Sequence, residues 1–62
     1  MLEKTYDGYK VYHRHKGQKL YVKSFYRGTY QFCTDYTHAK HYKLETAKLH
    51  DVKTQKILKR GI

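Results

Sequence analysis

Tyr9-Lys10-Val11-Tyr12-His13-Arg14-His15-Lys16-Gly17-Gln18-Lys19-Leu20-Tyr21-Val22-Lys23-Ser24-Phe25-Tyr26-Arg27-Gly28-Thr29-Tyr30-Gln31-Phe32-Cys33-Thr34 decides the fold. Three short runs, 9–15, 19–25 and 29–34, are rich in Tyr, Val and Phe, and Gly-bearing pairs separate them. Lys16-Gly17 and Arg27-Gly28 each put glycine second, as a two-residue type I′ hairpin turn with positive φ requires. The stretch therefore predicts a three-stranded antiparallel meander. Its first turn pairs His15 with Gln18, Arg14 with Lys19, Tyr12 with Tyr21 and Lys10 with Lys23. Its second turn pairs Tyr26 with Thr29, Phe25 with Tyr30 and Lys23 with Phe32.

Downstream the pattern changes. Asp35 is a cap for a short helical turn through Tyr36-Thr37-His38-Ala39-Lys40. Leu44 to Val52 reads as a helix, with Leu44, Ala47, Leu49 and Val52 on a broad apolar arc. The end, Lys56-Ile57-Leu58-Lys59, continues that helix or returns as a fourth short strand. The polar break at Thr54-Gln55 tips the reading to the strand. Upstream, the first five or six residues are the one segment that reads as a detachable tail. The expectation is one α+β domain over residues 1–62: meander, helical turn and one helix, with a fourth short strand at the end as an open alternative to a longer helix.

Side chains alternate across a strand, so the register sorts them into two faces. One face collects Tyr9, Val11, Leu20, Val22 and Cys33 with His13, Ser24 and Gln31, and suits a helix. The other collects Tyr12, Tyr21, Phe25, Tyr30 and Phe32, interleaved with Lys10, Arg14, Lys19 and Lys23. Three readings of that second face stand side by side. It is a nucleic-acid platform, in which Tyr12, Tyr21 and Tyr30 stack bases while Lys10, Arg14, Lys19 and Lys23 hold phosphates. It is core, covered by the helix, with lysine stems reaching around the edge. Or it is an interface with a second copy or another protein, since exposed patches of this kind bind something.

Composition favours a polyanionic partner. Fourteen Lys and Arg against five Asp and Glu give a formal charge of +9. Apolar residues make up only 39%, but aromatics reach 16%, which argues for an ordered chain rather than a disordered one. With 62 residues there is no room for separate substrate and cofactor domains. The single cysteine, Cys33, cannot close an internal disulfide, and a reducing cytoplasm is the simpler home. Residues 1–7 lack the apolar stretch of a signal peptide, and no run approaches a membrane span. The expected localisation is cytoplasmic, with no membrane partner.

Catalytic and metal chemistry find little support. His13 and His15 share one side of a strand with Cys33, and His38 and His41 are three apart, but one cysteine cannot build the usual paired zinc ligands. Glu3, Asp7, Asp35, Glu45 and Asp51 form no close pair in this topology. No Walker A, G-x-S-x-G or G-x-G-x-x-G motif occurs. His13, His15 and Lys16 are the one set able in principle to cleave RNA without metal. The expectation is a protein that is no enzyme and takes no cofactor. Cys33 is expected in the core as a small inert hydrophobe. Lys53, Lys56, Lys59 and Arg60 recur at three- and four-residue spacing, as a solvated helix face or a phosphate-contacting edge.

The order of the meander, then Thr34-Asp35 with Ala39-Lys40-x-Tyr42, then Leu44-Glu45-x-Ala47 and a short apolar end, resembles small accessory proteins of phages of staphylococci and related Gram-positive bacteria. The resemblance covers most of the chain through short motifs. Such phage proteins are often early, accessory or counter-defence factors, so the resemblance implies a context rather than an activity and carries no catalytic residue across. Together with the basic aromatic face, the expectation is binding of nucleic acid, RNA or single strands. The rival is an inhibitor docking on an acidic surface of a host protein or defence complex. A homodimer is expected, because five aromatics on one sheet face gain by burial against a second copy.

Overall fold

Both X-Gly pairs turn the chain in the way their composition requires. In the computed structural model, which describes residues 1–61 and the side chains of residues 1–59, Lys16 and Gly17 have φ of 51° and 79°, and Arg27 and Gly28 of 50° and 78°. Positive φ at both central residues is the type I′ signature, and its twist matches that of the flanking strands.

The elements are β1 (Leu2–Lys4), β2 (Tyr9–His15), β3 (Gln18–Tyr26), β4 (Thr29–Cys33), a 3-10 turn (Tyr36–His38), β5 (His41–Tyr42) and α1 (Leu44–Gly61). The class is α+β. The antiparallel sheet runs β1-β2-β3-β4, and β5 also pairs with β2, through Tyr9↔Tyr42 and Lys10↔His41. The first residues are thus a paired strand rather than a tail: Leu2, Glu3 and Lys4 oppose Val11, Lys10 and Tyr9. Gly8 permits this closure, because a Cβ there would lie 2.6 Å from the Tyr42 carbonyl oxygen.

The first hairpin has the expected register, with Tyr12↔Tyr21, Arg14↔Lys19 and His15↔Gln18. The second begins as expected, with Tyr26↔Thr29 and Phe25↔Tyr30, and then shifts. A bulge between Val22 and Ser24 takes up Lys23, so Val22 opposes Phe32 and Tyr21 opposes Cys33. One extra residue re-sorts the faces. Tyr30 and Phe32 join Val11, Val22 and Ala47 on the helix side, and Cys33 moves to the outer side with Tyr21. Phe25 goes with Tyr30, its ring centroid 4.4 Å away. Lys10 does not oppose Lys23; its partners are Glu3 and His41.

Residues 56–59 continue α1 and do not return as a fourth strand. The physical reason lies in Thr54, which interrupts the apolar arc yet is fully buried. Its hydroxyl donates to the His50 carbonyl oxygen one turn back, at 2.6 Å, so the helix absorbs the polar side chain without breaking. The buried stripe of α1 is Ala47, His50 and Thr54, whereas Leu44, Leu49 and Val52 of the expected arc are exposed. A helix seated on a tyrosine- and histidine-lined sheet buries small and polar residues. The side chain of Arg60, expected to extend the basic edge, lies outside the described residues. No described helix is long and apolar enough to cross a membrane.

Candidate nucleic-acid interface

The outer face of the sheet is organised around Glu3. From β1 its carboxylate reaches across β2 to Lys19 on β3, where Nζ donates at 2.8 Å, and to the Tyr21 hydroxyl at 3.3 and 3.4 Å. That hydrogen bond raises the Lys19 pKa, and burial, followed by the nearby Glu3 charge, raises that of Tyr21. Both groups keep their protons at neutral pH. Lys19 Nζ also lies 4.7 Å from the Tyr12 ring centroid, and the Tyr12 and Tyr21 rings are 5.8 Å apart.

Tyr36 closes the other side of the cluster. Asp35 caps its turn, accepting from the Thr37 backbone N–H at 2.9 Å and the Thr37 hydroxyl at 2.7 Å, and these bonds lower the Asp35 pKa. His38 Nδ1 lies 3.1 Å from the same carboxylate. The capped turn sets the Tyr36 ring edge-on to Tyr21, with centroids 5.7 Å apart. Lys10 then sits 3.6 Å from the Tyr36 ring centroid and donates to the Tyr36 carbonyl oxygen at 2.6 Å. The Cys33 thiol donates to the Asp35 carbonyl oxygen at 3.3 Å, tying strand end to turn.

Of the seven residues expected to form the platform, the structure gathers Lys10, Tyr12, Lys19 and Tyr21 in this cluster. Arg14 is exposed beside it, opposite Lys19. Lys23 is exposed at the bulge. Tyr30 is on the helix side, where its hydroxyl and His50 Nδ1 share a 2.6 Å hydrogen bond, and cannot join the others. Tyr21 is only 5% exposed, so its ring offers no open surface to a base, and Lys10 is nearly as enclosed. With Phe25, Tyr30 and Phe32 gone from this face, the five-aromatic patch behind the expected homodimer is not present. Nor does Cys33 share a side with His13 and His15.

Two aromatic groups escaped the sequence reading. Tyr36 is 44% exposed; its signal was the Asp35 cap directly after a strand whose last residue opposes Tyr21. Tyr26 is 67% exposed at the second hairpin tip, with the Arg27 guanidinium 5.2 Å from its ring centroid. Alternation puts Tyr26 on the outer side, one residue beyond the inward Phe25. Tyr12, Arg14 and Tyr36 thus flank a neutralised centre, while Tyr26 with Arg27 is exposed at the second hairpin tip and Lys23 at the bulge. No family model, curated protein or solved structure matches this chain.

Proposed function

We propose that the protein binds nucleic acid, RNA or single strands before duplex DNA, across the outer face of its sheet. One observation carries this reading. In a chain of formal charge +9, Lys19 is the only Lys or Arg in an ion pair among the described side chains. Cations without an internal partner hold loosely bound solution anions, and a phosphate backbone replaces these with a favourable release of its own counterions.

The contacts differ from those the alternation alone suggested. Arg14, Lys23 and Arg27 take phosphates, while Tyr12, Tyr26 and Tyr36 offer ring surface for stacking. Lys10, Lys19 and Tyr21 hold the surface in shape, through Tyr36 and Glu3, and do not face the ligand directly. The protein acts by binding, not catalysis, in the host cytoplasm. In the phage context that the sequence resemblance implies, such binding serves counter-defence or host takeover.

A second reading has its own observation. Leu49, Val52 and Ile57 are about half exposed on α1, beside Lys48, Lys53 and Lys56. A basic, apolar helix face suits an acidic host protein surface better than base edges.

Fluorescence anisotropy with a labelled single-stranded RNA distinguishes the two. The first reading expects a Kd below about 10 μM at 0.1 M salt, within or tighter than the non-specific range. Tyr36→Ala and Tyr26→Ala each weaken it by about 1 kcal/mol or more through lost stacking. Absence of binding, with capture of an acidic protein that Val52→Asp abolishes, selects the second.

A further inference from the structure

Where the end of β2 meets the last turns of α1, a cleft of about 320 Å³ opens between Met1, His13, Arg14, His15, Gln55, Leu58 and Lys59. It lies away from the Glu3–Tyr36 cluster, and Arg14 connects the two. Its lining contains the Arg14 and Lys59 cations, Met1, whose ammonium is paired with Asp51, two histidines and a neutral amide, and no Asp or Glu. The half-buried Leu58 gives it an apolar wall. At the inner end His13 Nε2 is engaged by Thr54 Oγ1 at 2.6 Å, with the Asp51 carboxylate 3.7 Å away, so that side of the ring belongs to the fold rather than to a ligand.

We infer that this cleft seats a nucleotide phosphate, with the cations on the phosphoryl oxygens and Leu58 against the sugar or base. The size fits: specific small-ligand sites begin at about 300 Å³ and pair a few polar groups with apolar lining. The charge fits as well. Arg14 offers a planar fork for two phosphate oxygens, Lys59 a mobile point charge, and His15 a ring donor. The shared chemistry is a phosphate on a partly apolar body, either a free nucleotide or one unit of a strand. The second source rests on the nucleic-acid reading above: a strand crossing the outer face at Arg14 would turn the sheet edge into this cleft.

The test uses the whole chain, amide NMR and three probes: inorganic phosphate, adenosine 5′-monophosphate and a single-stranded RNA of about one face-length. Saturating shifts at His15, Gln55 and Lys59 are expected with the mononucleotide at lower concentration than with phosphate, because only the former reaches Leu58. Lys59→Ala should weaken the mononucleotide roughly fivefold or more, the scale of one charge-assisted contact. The variant sits at an exposed position, and its unchanged amide spectrum elsewhere verifies folding. If the same variant weakens the RNA, the phosphate is one of a strand. If the mononucleotide saturates and RNA does not bind, the cleft stands as a seat for a free nucleotide and the nucleic-acid reading falls. If neither small probe gives saturating shifts up to about 20 mM, well beyond the millimolar range of a weak site, the proposal is overturned, even where RNA still binds. An unchanged mononucleotide affinity in Lys59→Ala overturns it equally.

Discussion

His13 on β2 and Thr54 on α1 lie 41 residues apart in the chain and 2.6 Å apart through Nε2 and Oγ1. The Thr54 hydroxyl already donates to the His50 carbonyl oxygen, so Oγ1 is left to accept and His13 Nε2 carries the hydrogen. A strand is thereby fastened to a helix by a buried polar bond, and the Tyr30–His50 bond ties β4 to the same helix. His13 and Thr54 are both buried, so losing either partner strands the other.

Thr54→Val keeps the shape and removes the acceptor. It should destabilise the fold by about 1–3 kcal/mol, the cost of a buried donor left unpaired. Urea denaturation checks this, with Gln55→Ala, at an exposed neighbouring position, as the comparison. Equal midpoints for the two variants would remove the bond from the account.

Acid should loosen the same interface. Burial lowers the pKa of His13, helped by the Met1 ammonium and opposed by Asp51. Burial also lowers that of His50, with Lys53 and Lys40 adding to it. In both, the unfolded chain takes up protons first, from about the ordinary value of 6.5. The stability these neutral rings contribute is therefore fully present above pH 6.5 and is lost as pH falls from there through the lower folded-state values. The melting temperature should drop between pH 7.5 and 5, with ring titrations of His13 and His50 by NMR centred below 6.5. Ring midpoints at or above that value would contradict it.

Two tyrosines on the helix side should respond in opposite ways to loss of the hydroxyl. Tyr30 shares its hydroxyl with His50, whereas the buried Tyr42 hydroxyl has no hydrogen-bond partner among the described residues. Tyr30→Phe should cost about 1 kcal/mol, a typical net hydrogen bond, and Tyr42→Phe should be neutral or stabilising. Thermal melts of the two single variants decide it. A larger loss in Tyr42→Phe would reverse the assignment.

Gly8 is required by closeness. An alanine Cβ would press on the Tyr42 backbone carbonyl at 2.6 Å, and backbone cannot move aside as a side chain can. Gly8→Ala should destabilise by more than about 1 kcal/mol and fray β5, measurable as faster amide exchange at His41 and Tyr42. Unchanged exchange there would mean the loop relaxes freely.

The turns and the first register were legible because Lys16-Gly17 and Arg27-Gly28 impose backbone chemistry that no tertiary contact has to override. The face assignment failed at Lys23, where one residue drops out of the ladder. Nothing local marks that bulge: Val22-Lys23-Ser24 reads as ordinary alternation. From that point the inner set gained Phe25, Tyr30 and Phe32, and the outer set gained Cys33. The helix end failed for another reason. Thr54 looked like an interruption because its partner, His13, is distant in sequence, and periodicity sees only neighbours. Of the expected site, Lys10, Tyr12, Lys19 and Tyr21 do meet, but legibility stopped at their company. Glu3 joins them because the opening residues pair as a strand, and Tyr36 because the capped turn folds back on Lys10.

The salt dependence of RNA binding is the sharpest test of phosphate contact at the outer face, because it counts phosphates without assuming which base lies where. Anisotropy titrations of one single-stranded RNA across a salt series should give a steep fall of log K with log salt. Arg14→Ala and Lys23→Ala should each reduce that slope by about 0.7, the share of one single-strand phosphate contact, while Tyr36→Ala lowers affinity with the slope nearly unchanged. A slope near zero, or one that neither cation changes, would contradict a phosphate-binding outer face.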